Sequence, residues 1–134
     1  MPKVAELMTK RVVTMRTDAT LAEALTYLAT QHISGAAVTD RRDRLVGVIS
    51  RSDIMDAEAE IAEAEVRGRF LDETLVSDLM TSPALTIGPD AELREAALAM
   101  EYGDVHRLFV EEGGDLVGVV SRSDVSRALA TGKV

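Results

Sequence analysis

Apolar residues recur along this chain with two different periods, and the change of period marks out the elements. In residues 18–30, Leu21, Ala24, Leu25 and Leu28 fall at i, i+3, i+4 and i+7, the stripe of an amphipathic helix. Leu93, Ala96, Ala97 and Met100 repeat that stripe further on. Both are read as core-packing faces, and Thr20-x-x-Glu23 ahead of the first is a capping box. Short apolar runs at 12–15 and 84–87 predict strands. Residues 36–39 followed by 45–49 predict a hairpin, as do 108–111 followed by 116–120, with helices starting at Ser50 and Ser121.

The two sets of elements are copies of one another. Leu45-Val46-Gly47-Val48-Ile49-Ser50-Arg51-Ser52-Asp53-Ile54 returns as Leu116-Val117-Gly118-Val119-Val120-Ser121-Arg122-Ser123-Asp124-Val125, with eight of ten positions identical. Upstream the offset is 72 residues: Leu7-Met8-Thr9 matches Leu79-Met80-Thr81, Thr14 matches Thr86, and Leu21 matches Leu93. Downstream it is 71, so one residue is lost between 40–45 and 112–116, where Gly113-Gly114 supplies turn chemistry. Two copies are too few for a solenoid and predict two equal halves, residues 1–70 and 71–134, about an internal pseudo-two-fold axis. Met8 and Met80 recur with the opening segment and are read as packing residues. Arg41, Arg42 and Arg44 crowd the first hairpin turn and are read as solvated.

Residues 55–72 stand outside the repeat. Asp56, Glu58, Glu60, Glu63 and Glu65 alternate with alanines while Ile54, Ala57, Ile61 and Ala64 keep helical spacing. This stretch is expected to lengthen the first half's last helix, with Arg67 and Arg69 complementing its C-terminal dipole and Gly68 ending it.

Composition narrows the chemistry. The chain has 134 residues, 46% hydrophobic and 28% charged, an ordinary globular balance. A net charge of −8 argues against a nucleic-acid surface. The absence of cysteine removes disulfides, thiolate metal sites and thiol nucleophiles, and two histidines, His32 and His106, do not make a metal cage. No run approaches the ~18 apolar residues of a membrane span, and the first residues lack a signal peptide's apolar core. The expected location is cytoplasmic, with no membrane and no nucleic-acid partner. Aromatic residues make up only 3%, so a flat ligand would be gripped mostly by aliphatic surface.

The sharpest chemical feature is Gly47-x-x-Ser50-x-x-Asp53, repeated as Gly118-x-x-Ser121-x-x-Asp124. Ser followed three residues later by an acid is first of all a helix cap. The same geometry serves a nucleoside phosphate. A helix N-terminus offers free N–H groups to an anion, and a carboxylate in its first turn accepts the hydroxyls of a ribose. Glycine in the preceding strand admits a ligand or a backbone at close range.

With these residues in view, the chain resembles a tandem pair of CBS domains, a Bateman module. The opening Leu-Met-Thr, the Asp-Ala-x-Leu start of the helix, the hairpin and the closing Gly-x-x-Ser-x-x-Asp all occur twice, over nearly the whole chain. The fold implied is α/β (α+β), two pseudo-symmetric β-α-β-β-α units packed through their sheets, with two clefts that take AMP, ADP, ATP or S-adenosylmethionine. Carried over by position, the resemblance implies ribose carboxylates at Asp53 and Asp124 and phosphate-side hydroxyls at Ser50 and Ser121, flanked by Arg51 and Arg122. It implies adenine neighbours at Thr14 and Thr86, at Ile33 to Ala36, and at Val105 to Leu108. His106-Arg107 matches a pair that family members aim at phosphates, where the first half has Ser34-Gly35. The chain departs from the family at Ala37 and Phe109, where many members carry proline.

Three functional classes follow. The one chosen is a non-catalytic regulatory module that binds an adenosine-containing small molecule, with no obligatory cofactor, and acts as a homodimer on a regulated protein. The alternative is a ligand-free dimerisation scaffold. An enzyme is disfavoured, because no nucleophile–base pair, metal cluster or phosphate-binding loop stands out. A scaffold has no need of ribose-spaced carboxylates, which decides between the first two.

Overall fold

The computed structural model describes residues 2–131. Their elements in chain order are α1 (Val4–Leu7), β1 (Thr14–Arg16), α2 (Leu21–Thr30), β2 (Gly35–Thr39), β3 (Leu45–Ser50), α3 (Arg51–Ala59), α4 (Ala64–Glu73), α5 (Val76–Leu79), β4 (Thr86–Ile87), α6 (Leu93–Gly103), β5 (Arg107–Glu112), β6 (Asp115–Ser121) and α7 (Arg122–Ala130). They make two three-stranded sheets with flanking helices, a mixed α/β fold. In the first sheet β1 runs parallel to β2, which pairs antiparallel with β3. In the second, β4, β5 and β6 repeat the arrangement.

The compact units do not divide the chain at the expected repeat boundary of residues 70/71. One compact unit is Val13–Ala84, here the central unit; the other, the terminal unit, takes the chain up to Val12 and from Leu85 onward. Each repeat therefore lends its opening segment to the other repeat's sheet. In the terminal unit, Val4 N–H donates to Ala91 O at 2.8 Å, and Thr9 and Val119 exchange backbone hydrogen bonds of 2.8 and 3.0 Å. In the central unit Val76 N–H donates to Ala19 O at 2.8 Å, and Val48 and Thr81 exchange bonds of 2.9 and 2.8 Å. The short helices α1 and α5, too brief for periodicity to reveal, bury Val4 and Val76 completely in these cores.

Glycine is needed where the exchanged segments cross. A Cβ on Gly47 would lie 2.7 Å from the Thr81 carbonyl oxygen and 2.8 Å from Met80 Sδ. One on Gly118 would lie 2.5 Å from Met8 Sδ and 3.1 Å from the Thr9 oxygen. Of the two roles open to these glycines, close approach of backbone is the one the fold uses. Met8 and Met80 pack against the cores, as expected of both.

The two cores are built from matched positions, with Leu21, Ala24, Val38, Ile49 and Ile54 in the central unit answering Leu93, Ala96, Val110, Val120 and Val125 in the terminal one. The Thr20 cap forms: its hydroxyl accepts Glu23 N–H at 3.1 Å while its own N–H donates to the Glu23 carboxylate at 3.0 Å. That backbone bond, followed by one from the Thr20 hydroxyl, holds the Glu23 carboxyl below its usual value. The residue lost between the copies does fall in the hairpin turn. Gly113 and Gly114, at φ +60° and +89°, close the second hairpin in two residues. The longer first turn is held by Asp40, whose carboxylate accepts N–H bonds from Arg42 at 2.8 Å and Arg44 at 3.1 Å. Arg41, Arg42 and Arg44 are exposed, as read.

Residues 55–72 do not extend one helix. α3 stops at Ala59, and α4 begins at Ala64 so that Phe70 and Leu71 can pack on the central core. Arg67 does not sit at a helix C-terminus; its guanidinium donates to the Ile61 and Ala62 carbonyls that the break exposes, at 3.1 and 3.2 Å. Gly68 lies inside α4.

The crossings rank two substitutions. Gly47→Ala meets a backbone oxygen that cannot rotate away, whereas Gly118→Ala meets mainly a flexible thioether. Overpacking typically costs about 1–3 kcal/mol. Thermal melts should show Gly47→Ala as the more destabilised variant, and only Gly118→Ala should recover when combined with Met8→Ala.

Candidate functional site

In each sheet one end gathers the candidate residues, where the first two strands begin and the third ends. In the central unit Thr14 opens β1 opposite Ala37, and Gly35 opens β2 opposite Ser50 at the end of β3. Arg51 N–H donates to Ser34 O at 2.8 Å, tying the start of α3 to the loop before β2. Ser50 sits in extended conformation as N-cap, and its Oγ accepts Asp53 N–H at 3.1 Å.

The terminal unit repeats this geometry. Thr86 lies opposite Phe109 and Arg107 opposite Ser121, while Arg122 N–H donates to His106 O at 2.8 Å. Ser121 Oγ accepts Asp124 N–H at 3.2 Å. Thr14, Ile33, Ser50, Arg51 and Asp53 thus share one sheet end, and Thr86, Val105, His106, Arg107, Ser121, Arg122 and Asp124 the other. Ile33 and Val105 are half-buried and also pack on their own cores. Thr14, Thr86, Arg51, Arg122 and His106 are exposed.

Two candidates can present only backbone at the sheet ends. Ala36 is 3% exposed and Leu108 is 0% exposed, each within its unit's core cluster. Side chains alternate along a strand, so these point into the core; what they offer a ligand is backbone. Ala37 and Phe109 are buried as well, but point to the opposite sheet face and stand outside both core clusters.

Two features of the ends escaped sequence reasoning. The residues just before Ile33 and Val105, His32 and Asp104, adopt left-handed backbone at φ +56° and +51°. They end α2 and α6 at the same step of each repeat and aim the loop at the sheet end. Neither is glycine, so no turn signal marked them, although His and Asp enter this region more readily than most residues. The second feature is the state of the carboxylates. Asp124 Oδ2 accepts Ser121 N–H at 2.8 Å, and its Oδ1 pairs with Arg127 Nη2 at 3.2 Å. Among the described residues the Asp53 carboxylate has no such partner.

Chemically, each end offers a helix N-terminus, a hydroxyl, a cationic side chain and a carboxylate within one helical turn. Helix N-termini favour anions, and ionised carboxylates accept hydrogen bonds from hydroxyls.

Residues 4–60 and 76–131 each match the family described as the CBS domain. The chain belongs to the CBS-domain family. Its CBS domains are similar to those of inosine-5'-monophosphate dehydrogenase from Methanocaldococcus jannaschii, 31% identical over 124 residues. That match covers 92% of this chain and only 23% of the enzyme, its CBS part. The uncharacterised protein MJ1232 of the same organism is also 31% identical, over 96% of this chain and 40% of its own length. The chain thus spans well under half of these two curated relatives. Among solved structures, CBSX2 from Arabidopsis thaliana has been determined in complex with AMP. In that complex it superposes with a TM-score of 0.81 at 27% identity, covering 98% of both chains. The chain therefore shares both the domain family and the fold of a CBS pair.

Proposed function

We propose that this CBS pair is a non-catalytic regulatory module that binds adenosine nucleotides. The observation that carries the reading is the repeated sheet end, strand–Ser–helix–Asp, in a chain that matches an AMP-bound CBS pair along 98% of its length. Asp53 and Asp124 take the ribose hydroxyls. Ser50 and Ser121, with the Ser52 and Ser123 N–H groups in the first turns of α3 and α7, lie on the phosphate side beside Arg51 and Arg122. Thr14, Thr86, Ile33 and Val105 flank the adenine, with the backbone at Ala36 and Leu108. His106 and Arg107 add charge on the phosphate side. The ligand class is AMP, ADP, ATP or S-adenosylmethionine, and occupancy is read by a regulated protein. We place the module in the cytoplasm, where adenosine nucleotides are present to be sensed.

A homodimer is part of this proposal. Leu98, Tyr102 and Leu129, on α6 and α7, are 50%, 91% and 56% exposed, an apolar helical surface that a second copy would cover. Light scattering at micromolar concentration should report twice the chain mass; a single chain's mass rejects the dimer.

A thermal-shift panel of AMP, ADP, ATP, S-adenosylmethionine, NAD and GMP tests the ligand class. A ligand at 100 times its Kd stabilises the fold by about 2.7 kcal/mol. The Asp53→Ala, Asp124→Ala double variant should stay folded and lose most of that shift. No shift from any adenosine compound would leave a ligand-free dimerisation scaffold as the function.

Arg107 separates phosphate recognition from support of the fold. Charge-assisted hydrogen bonds contribute about 1.5–3 kcal/mol, roughly ten- to a hundredfold in affinity. Arg107→Ala should weaken AMP by that factor at one site and leave uncharged adenosine nearly unchanged in calorimetric titration. Equal losses for both ligands would reassign Arg107 to the fold.

A further inference from the structure

The two proposed ribose carboxylates occupy identical motifs yet differ in what surrounds them. Asp124 is engaged at both oxygens, Oδ2 by the Ser121 N–H at 2.8 Å and Oδ1 by the Arg127 guanidinium at 3.2 Å, and its side chain is only 14% exposed. Asp53 is exposed and has neither contact among the described residues. The cause lies one helical turn further on. Position 127 of the second repeat corresponds, at the offset of 71, to position 56 of the first, and Arg127 is there replaced by Asp56, also exposed. Residues three apart on a helix are neighbours, so one repeat places a cation beside its carboxylate and the other an anion.

We propose that Arg127 is a positioning residue that competes with ligand ribose for Asp124, so that Asp53 is the open carboxylate and Asp124 the guarded one. This rests on the adenosine reading above. A ribose diol approaching Asp124 must share or displace Oδ1 from the guanidinium, while the diol approaching Asp53 meets a carboxylate with no protein donor among the described residues. The guanidinium is 69% exposed and screened, so the competition has the scale of a surface ion pair, about two- to fivefold in affinity. The inequality acts on the sugar and therefore operates for uncharged adenosine, independently of any phosphate contact at Arg107.

The test is calorimetric titration of the full chain with adenosine, one carboxylate at a time. In an Asp53→Ala background, where only the Asp124 seat remains, adding Arg127→Gln should tighten adenosine two- to fivefold. In an Asp124→Ala background Arg127→Gln should change nothing, and Asp56→Arg should weaken adenosine by a similar factor. A residue that merely braces α7 would lower affinity or leave it unchanged when removed, and either result for Arg127→Gln at the Asp124 seat overturns the proposal. Adenosine binding that ignores Arg127 removes this inference alone. No binding to the unmutated chain removes the adenosine reading and this inference together.

Discussion

The structure of each unit depends on one backbone crossing. A two-way hydrogen-bond exchange, Val48 with Thr81 and Val119 with Thr9, lays a Met-Thr segment over a strand at its glycine. At Gly47 a side chain would run into the Thr81 backbone oxygen, and at Gly118 into the Met8 thioether. The crossing brings with it a buried valine, Val76 in one unit and Val4 in the other, that completes a core otherwise built from the other repeat. The same strand ends three residues later in the serine that caps the next helix. The glycine that admits the crossing and the serine that starts the site are thus parts of one extended segment, and a shift in the first would move the second.

From that shared frame the repeats diverge at a few places, each with a local cause. A longer first turn is organised by the Asp40 carboxylate, a shorter second turn by two glycines in left-handed backbone. The helix α4, which follows α3 in the central unit, packs on that unit's core through Phe70 and Leu71. At the sheet ends, one repeat carries Ser34-Gly35 where the other carries His106-Arg107. The carboxylates at matched positions differ because their neighbours three residues on have opposite charge. The repeat gives the two sheet ends one local geometry, and single charged residues make those ends chemically unequal.

Much of the site was legible from the sequence because it is local. Ser50, Arg51, Asp53 and their copies lie within one helical turn, and capping rules read them directly. Ala36 and Leu108 show what a local reading leaves open. Being adjacent to a site segment says nothing about the strand face a side chain takes, and alternation turns both into the core. The 55–72 stretch kept helical spacing on paper, but Ile61 and Ala64 do not share one buried face; α4 reorients so that Phe70 and Leu71 do the packing.

By itself the sequence determined the repeat, the strand–helix–strand–strand–helix order, the hairpin pairing, the caps and the family, since each is set by interactions between residues close in the chain. Only the tertiary structure decided which opening segment completes which sheet, because two nearly identical Leu-Met-Thr segments satisfy either glycine strand equally well in sequence. It likewise decided which carboxylate is engaged. The Asp124–Arg127 spacing was visible, but whether a guanidinium spends its hydrogen bond there depends on the geometry of a folded helix end.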